Sequence, residues 1–397
     1  MHFLLTTGLQ WLVLALACGP LVYYLLSIAC AWDFFAKPPQ PEAGPPYTPP
    51  ISVLKPVRGV DREAYENYAS FCRQDYPEYE VLFSASEADD PVIPVIERVI
   101  RDHPERQLRL LVGAPSLGMN RKVNQLCRLV QEARYDLLAI SDSDVRVEPE
   151  YLRRVAAPFR DPQVGAVTAL FRANVKGGII SQLEVMGSAE DFSGTLIARR
   201  FEGMKFTLGT TMATTRQRLA EIGGFEALVD YHADDFELGK RIAARGYRVE
   251  LLREPAWMVF PQRSLGEFLS HELRWMIGMR NIRPLGHLGM IFTHGLPWAL
   301  AAAAVAPSRW LAALFLIAYL VLRFAMSWTI GAWGLKDPVA GRGFGLIPLR
   351  DALTFLVWLA SFASNRIRWR GLEFKVEKGI LVPVPNSPSR QVRVNRS

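Results

Sequence analysis

The sequence predicts an α/β domain with a mostly parallel central sheet, flanked by membrane helices at both ends of the chain. Three observations carry this prediction. Long apolar runs occupy the first 35 residues and return after residue 287. Between them, short β-rich segments alternate with amphipathic ones. Acidic clusters stand directly behind several β-rich segments, at the strand ends where such sheets bind their ligands.

No Asp, Glu, Lys or Arg occurs between Phe3 and Trp32, whereas about 20 apolar residues suffice to cross a bilayer. The stretch is too long for a cleaved signal peptide and lacks a basic start, so residues 1–35 are expected to be an uncleaved anchor. The Pro-rich residues 36–50 (AKPPQPEAGPPYTPP) suit an extended linker. Residues 51–286 then read as one soluble block. Within it ISVLKPV, YEVLFSAS, LRLLVG and DLLAIS are the expected strands. The segment up to Cys72, PVIERVIRDH and KVNQLCRLVQEA are the helices between them.

Apolar runs at residues 288–306 and 310–333, separated by Pro307, Ser308 and Arg309, are expected to form a membrane hairpin. Arg323 inside the second run is expensive in lipid and is expected to face protein or a polar headgroup. Residues 344–363 contain Arg350 and Asp351. They are expected to form an interfacial or re-entrant helix, because a further span would put the basic tail opposite the catalytic block. The expectation is an integral, multi-pass membrane protein with three spans, one interfacial element and a cytoplasmic catalytic block. Residues 366–397 are its basic cytoplasmic tail, loosely ordered from about Val376.

The formal charge is +7, from 46 basic and 39 acidic residues. Residues 366–397 hold eight basic and two acidic side chains, which leaves +1 for the rest. So neutral a body excludes a basic nucleic-acid-binding domain, and the tail suits anionic lipid headgroups. Cys18, Cys30, Cys72 and Cys127 have neither zinc-site nor redox spacing and are expected to be small buried hydrophobes. No GxxxxGK(S/T) loop occurs, so a P-loop nucleotidase is unsupported.

The chemistry-bearing residues follow the strands. DLLAIS runs into Asp142-Ser143-Asp144, and alternation along an extended chain puts the two carboxylates on one side. A solvated turn explains the tripeptide taken alone. A hard divalent cation explains it together with the other motifs, since Mg²⁺ or Mn²⁺ takes one or two carboxylates plus substrate phosphates and water. Asp234 and Asp235 begin a helix of about ten residues ended by Gly246; one acid can cap that helix, and the pair also suits a general base. His271, Arg274 and Trp275 share one face of an amphipathic helix. An Arg fork fits phosphate, an indole fits a sugar or a lipid surface, and a membrane-lying helix with a Trp anchor is the plainer alternative. Upstream, Glu87, Asp89 and Asp90 end the second strand. Arg121 and Lys122 stand at a helix start, a position that favours phosphate.

Taken in order, VLKPVRGVD, the acids after the second strand, GMNRKVN, SDSD, ADDFELGKRI and HELRW resemble the ceramide glucosyltransferase group of inverting, family 2-like glycosyltransferases. The likeness spans residues 51–275 and continues into the membrane hairpin and the WRG at residues 369–371. It implies a GT-A fold, a UDP-sugar donor, a divalent metal (Mn²⁺ or Mg²⁺) and a membrane lipid hydroxyl as acceptor. It names no protein partner. Carried over, Asp142 and Asp144 match the metal motif, with Asp142 also facing the donor. Asp235 matches the catalytic base and Asp234 its acidic neighbour. One of Glu87, Asp89 or Asp90 matches the acid that holds the nucleobase, while Arg121 and Lys122 fall with the donor phosphates. Arg274 and Trp275 match the end of a (Gln/Arg)-x-x-Arg-Trp motif, and the chain departs from that motif at His271. The resemblance implies glucose transfer from UDP-glucose to ceramide with inversion, with Lys122 and Arg274 offsetting charge on the leaving diphosphate. Two alternatives stand beside it: transfer of N-acetylglucosamine to a hopanoid polyol such as bacteriohopanetetrol, and a non-catalytic lipid-binding protein.

Overall fold

The computed structural model describes residues 2–37, 45–174, 178–340, 343–369 and 372–384. Residues 38–44 of the Pro-rich linker, Arg370 and Gly371 of the WRG, and the end of the basic tail (residues 385–397) lie outside them.

The chain opens with the helix α1 (His2–Phe35). Strands and helices then alternate as expected: β1 (Ile51–Val57), α2 (Ala64–Cys72), β2 (Tyr79–Ala85), α3 (Ile93–Asp102), β3 (Gln107–Val112), α4 (Arg121–Glu132) and β4 (Leu137–Ile140). After β5 (Val145–Arg146), α5 (Tyr151–Ala156) and β6 (Val164–Asn174) come α6 (Ile179–Glu202), β7 (Met212–Thr215), α7 (Arg216–Glu221), α8 (Asp234–Ala244) and β8 (Arg248–Val259). The remainder holds α9 (Leu265–Ile282), α10 (Pro284–Gly289), α11 (Gly295–Val305), α12 (Arg309–Ser327), α13 (Ile347–Ser361), β9 (Arg366–Trp369), β10 (Leu372–Glu377) and β11 (Ile380–Pro383).

Two compact units result. The sheet unit comprises residues 38–174, 201–261 and 379–397; the helical unit comprises residues 1–37, 175–200 and 262–378. The stretch expected as one block, residues 51–286, is thus shared between them.

In the sheet unit eight strands run in the order β3-β2-β1-β4-β7-β6-β8-β5. β3, β2, β1 and β4 are mutually parallel, as are β6 and β8; β7 and β5 pair antiparallel with their neighbours. All seven residues of β1 and all four of β4 are buried, as strands covered on both faces require. Polar residues caught inside are paired: the Ser52 hydroxyl donates to buried Glu80 at 2.7 Å, and Arg109 meets the same carboxylate at 3.1 Å. Residues 379–384, beyond β10, pack back on the sheet unit. Ile380 bridges Tyr231, and the Leu381 amide donates to the Asp230 carbonyl at 2.8 Å.

Among the described residues of the helical unit three helices are long and apolar enough to cross a membrane: Thr7–Phe35, Arg309–Gly334 and Phe344–Ser361. α1 packs on α11 and α12 through Leu14, Ala17, Ala302 and Phe315. Two segments differ in detail from the simplest form of the expected membrane region. Residues 288–306 are not one straight span: Pro284–Phe292 and Gly295–Val305 are bent by 46° at Thr293 and His294. The Tyr24 hydroxyl serves that break, accepting from the Gly295 amide at 3.0 Å and donating to the Thr293 carbonyl at 3.2 Å. The 18 residues of Phe344–Ser361, expected to be an interfacial or re-entrant helix, have the length and composition of a span. Their two charges do not argue against that, because both are matched within the unit. Arg350 bonds Glu272 at 2.6 Å, and Asp351 takes Arg323 in a bidentate pair at 2.8–3.1 Å, with Tyr319 donating at 2.9 Å. Arg323 therefore faces protein. Two smaller corrections concern the tail and a cysteine. Val376, placed at the start of a loose tail, is fully buried in β10, where it extends a hairpin with β9. Cys18 is exposed on α1, while the other three cysteines are buried thiols.

Candidate active site

The site in the sheet unit is assembled from the loops at the carboxyl ends of β1 and β4, from the segment leading into β7 and from the starts of α4 and α8. Asn120 caps α4, its side-chain oxygen accepting from the Lys122 and Val123 amides at 3.1 and 3.3 Å. Its amide nitrogen reaches the Tyr231 carbonyl at 2.8 Å and Asp234 at 3.4 Å, which ties the start of α4 to the start of α8. The Met119 amide adds a bond to Asp230 at 2.9 Å. Lys122 is thereby aimed between two acids from distant stretches of chain. Its ammonium lies 2.8 Å from Asp142 and 3.1 Å from Asp234. Burial works against that charge, but the carboxylates of Asp142, Asp234 and Asp235 hold the Lys122 pKa above its ordinary value.

Asp235 stands on the other side of a glycine. The Gly209 amide donates to Asp235 Oδ2 at 2.9 Å, the Phe236 amide to Oδ1 at 2.8 Å, and the Thr207 hydroxyl to the Asp235 carbonyl at 2.6 Å. A methyl at position 209 would sit 2.7 Å from Asp142 Oδ2 and 3.3 Å from Asp235 Oδ2, so only a glycine leaves both carboxylates where they are. Burial and the neighbouring Asp234 push the Asp235 carboxyl up to about 6, against the pull of Lys122. Gly209→Ala is expected to lower turnover about tenfold or more by prying these acids apart, at a stability cost of about 1–3 kcal/mol. Steady-state kinetics beside a melting curve will check this; an unchanged kcat would show that the spacing is not critical.

Asp144 completes the acidic cluster. Its Oδ1 is buried with no hydrogen-bond partner among the described residues. Burial, Asp142 and Asp61 push its carboxyl up to about 7, against the pull of Lys55. An orphaned carboxylate oxygen beside a second carboxylate is the donor set that a hard cation fits. Among the described residues no group of three or more His, Cys, Asp or Glu could hold a metal. Asp142 and Asp144 therefore suit a cation that draws its other ligands from a substrate and water. Beneath them Lys55, fully buried at the end of β1, donates to the Asp142 carbonyl at 2.6 Å over the Phe71 ring. Burial brings its pKa down to about 7, against Asp144, Asp142 and Asp61. The Ser143 hydroxyl donates to Asp61.

Of the acids after β2, Asp90 is engaged by backbone. It accepts from the Gly59 amide at 2.9 and 3.1 Å and from Val92 at 3.0 Å, fixing a turn in which Gly59 takes φ +68°. Glu87 is exposed and pairs with Arg121 at 3.0 Å; Asp89 is exposed. His271, Arg274 and Trp275 belong to the helical unit, on α9. There the Trp275 indole donates to His271 Nε2 at 3.3 Å, and the Arg274 guanidinium lies 6.0 Å from the Trp369 ring centroid. Sequence reasoning missed Lys55, Asn120 and Gly209. A lysine inside an otherwise buried strand signalled the first and the cap position the second; Gly209 carried no local signal.

The sequence profile of glycosyl transferase family 21 matches residues 12–382. The chain belongs to this family. Its resemblance to the ceramide glucosyltransferases extends to named relatives. The chain is 27% identical to ceramide glucosyltransferase 1 of Caenorhabditis elegans over 232 residues, 58% of this chain and 50% of that protein. With ceramide glucosyltransferase 3 of the same organism it shares 24% identity over 346 residues, 83% of this chain and 73% of the other. The matched region thus spans half the length of the first relative. Among solved structures, the mannosyltransferase PcManGT from Pyrobaculum calidifontis, in complex with GDP-Man and Mn²⁺, superposes with a TM-score of 0.59 at 21% identity, covering 89% of this chain and 99% of that one. That likeness is one of fold, and it bears out the GT-A architecture expected for this family 21 chain.

Proposed function

We propose that this family 21 chain is a membrane-bound, inverting hexosyltransferase that moves glucose from UDP-glucose to the primary hydroxyl of ceramide. One observation carries the proposal. Acids from two distant stretches, Asp142 and Asp234, converge on the ammonium of Lys122, with Asp235 beside Asp142 across Gly209. In the proposed step, the acceptor oxygen bonds to the anomeric carbon as the bond from that carbon to the diphosphate oxygen breaks. The acceptor proton passes to Asp235, and the electron pair leaves on the nucleoside diphosphate. Asp235 suits this role because two backbone amides fix its carboxylate and its pKa is raised toward neutrality. Lys122 supplies fixed positive charge for the departing diphosphate. A divalent cation held by Asp142 and Asp144 would add to that charge neutralisation when bound. Glu87, Asp89 or Asp90 is proposed to meet the nucleobase. The three long apolar helices would keep a site for lipid acceptors at the bilayer, with the catalytic side facing the cytoplasm as the basic tail favours.

The test is incubation of the purified full chain in lipid nanodiscs with UDP-glucose, UDP-galactose or UDP-N-acetylglucosamine over a panel holding ceramide and a hopanoid polyol, with products read by mass spectrometry. A β-glucosylceramide is expected. An N-acetylhexosaminyl hopanoid would replace both donor and acceptor, and no product from any pair would leave a lipid-binding protein. Because Asp235 must be ionised to accept a proton, kcat/KM is expected to fall as pH drops through about 6, approaching tenfold per unit. A flat profile between pH 4 and 7 would remove Asp235 from the role.

A further inference from the structure

Within the sheet unit, the segment that delivers Asp234 and Asp235 to the site is held on both edges, and one of the two holders comes from residues 379–381. α8 begins at Asp234, and its N-cap residue is Ala233, whose methyl group can cap nothing. The first turn of α8 therefore takes its place from the residues before it. On one edge of those residues stands the start of α4. The Asn120 amide donates to the Val229 carbonyl at 2.7 Å, the Asn120 side chain to the Tyr231 carbonyl at 2.8 Å, and the Met119 amide to the Asp230 carboxylate at 2.9 Å. Backbone groups alternate in direction along an extended segment, so Asp230 and His232 point theirs the other way. There the His232 amide donates to the Gly379 carbonyl at 2.9 Å and the Leu381 amide to the Asp230 carbonyl at 2.8 Å. Tyr231 and Ile380 form an antiparallel bridge between these two bonds. Gly379 offers its carbonyl at φ +84°, a conformation that favours glycine, and Leu381 is buried.

We propose that residues 379–381 are a strap that positions the catalytic base: by pairing with residues 230–232 they fix the entry to α8, and with it the places of Asp234 and Asp235. The proposal rests on the reading of Asp235 as the base and adds Gly379 and Leu381 to it as positioning residues, which act through the backbone of another segment. Without the strap, residues 230–232 would be held along the α4 edge alone. Asp234 and Asp235 follow His232 so closely in the chain that any freedom there passes to them. Their contacts leave little room for it. Asp234 lies 3.1 Å from the Lys122 ammonium and Asp235 accepts from the Gly209 amide at 2.9 Å, so a drift of about 1 Å takes either beyond hydrogen-bond range. A base misplaced by that much costs up to about 10²-fold in rate.

The test uses the full chain in lipid nanodiscs. Leu381→Pro deletes the amide that donates to Asp230, and the conservative Leu381→Val keeps it. Gly379→Ala strains the residue that offers its carbonyl to His232. Leu381→Pro is expected to lower kcat about tenfold and Gly379→Ala about threefold, each with the donor KM within about twofold. Leu381→Val should restore kcat to near the wild-type value. A lower melting temperature with kcat unchanged below the melt would overturn the strap in favour of a purely structural role. A second readout does not depend on turnover. Hydrogen exchange in a peptide covering residues 228–238 should run about tenfold faster in Leu381→Pro and return to the wild-type rate in Leu381→Val; unchanged exchange in Leu381→Pro refutes the link. Should Leu381→Pro show no cooperative melt, the same two measurements on Gly379→Ala decide. Near-wild-type turnover in Asp235→Asn would refute the base reading, while the exchange rates would still judge the strap.

Discussion

Replacing Asp235 by Asn is expected to lower turnover about 10²–10⁴-fold, the usual loss when a general base is removed, while donor affinity stays within about twofold. The substitution preserves shape. The asparagine oxygen can keep one of the two backbone donors, the Gly209 or the Phe236 amide, that now fix the carboxylate. The other amide loses its charged acceptor, at a cost of about 1–2 kcal/mol, so a folded protein with an intact donor pocket and no base should result. Turnover on ceramide, with calorimetric titration of UDP-glucose in parallel, separates the two quantities. Near-wild-type turnover would sink the assignment of the base. A parallel collapse of donor binding would show that Asp235 holds the donor.

Replacing Lys122 by Met should have the largest effect on stability. The lysine ammonium is the group that both Asp142 and Asp234 contact directly, at 2.8 and 3.1 Å, and Asp235 also feels its charge. Methionine matches its length and removes the charge, leaving acids crowded in a poorly solvated site. Removing one partner of a buried pair costs about 3–5 kcal/mol; the half-exposed Asp142 places the expectation toward the lower end. The pH dependence has a definite sign. Asp235, already at about 6 in the folded chain against an ordinary 3.8, would rise further without the cation. Its protonated form therefore favours folding, and the variant should regain stability as pH falls from 7 toward 5. Thermal melts across that range will show whether it does. A melting temperature equal to wild type at pH 7 would mean that Lys122 does not neutralise the cluster.

Much of the sheet unit was legible because its signals are local. β1 and β4 announce themselves as short apolar runs, and Asp142, Asp144, Asp234 and Asp235 stand beside recognisable element boundaries. The membrane segments were half legible for a related reason. Hydropathy found the apolar runs, but Arg350 and Asp351 counted as costs when their partners Glu272 and Arg323 lay elsewhere in the sequence. A charge in an apolar helix is read correctly only once its counter-ion is known. The break at Thr293 and His294 was hidden likewise, since the Tyr24 hydroxyl that satisfies it comes from α1.

The alternation of strands and helices, the long apolar helices and the acids placed at strand ends are encoded locally in the chain. These follow from side-chain periodicity and from the solvation cost of each residue type, which act over a few neighbours. Folding was needed to reveal that Lys122 serves Asp142 and Asp234 together, that Gly209 must lack a side chain, and that Asp235 is held by two backbone amides. Those pairings join residues far apart in the chain. Their energies depend on distances of about 3 Å that no local pattern encodes.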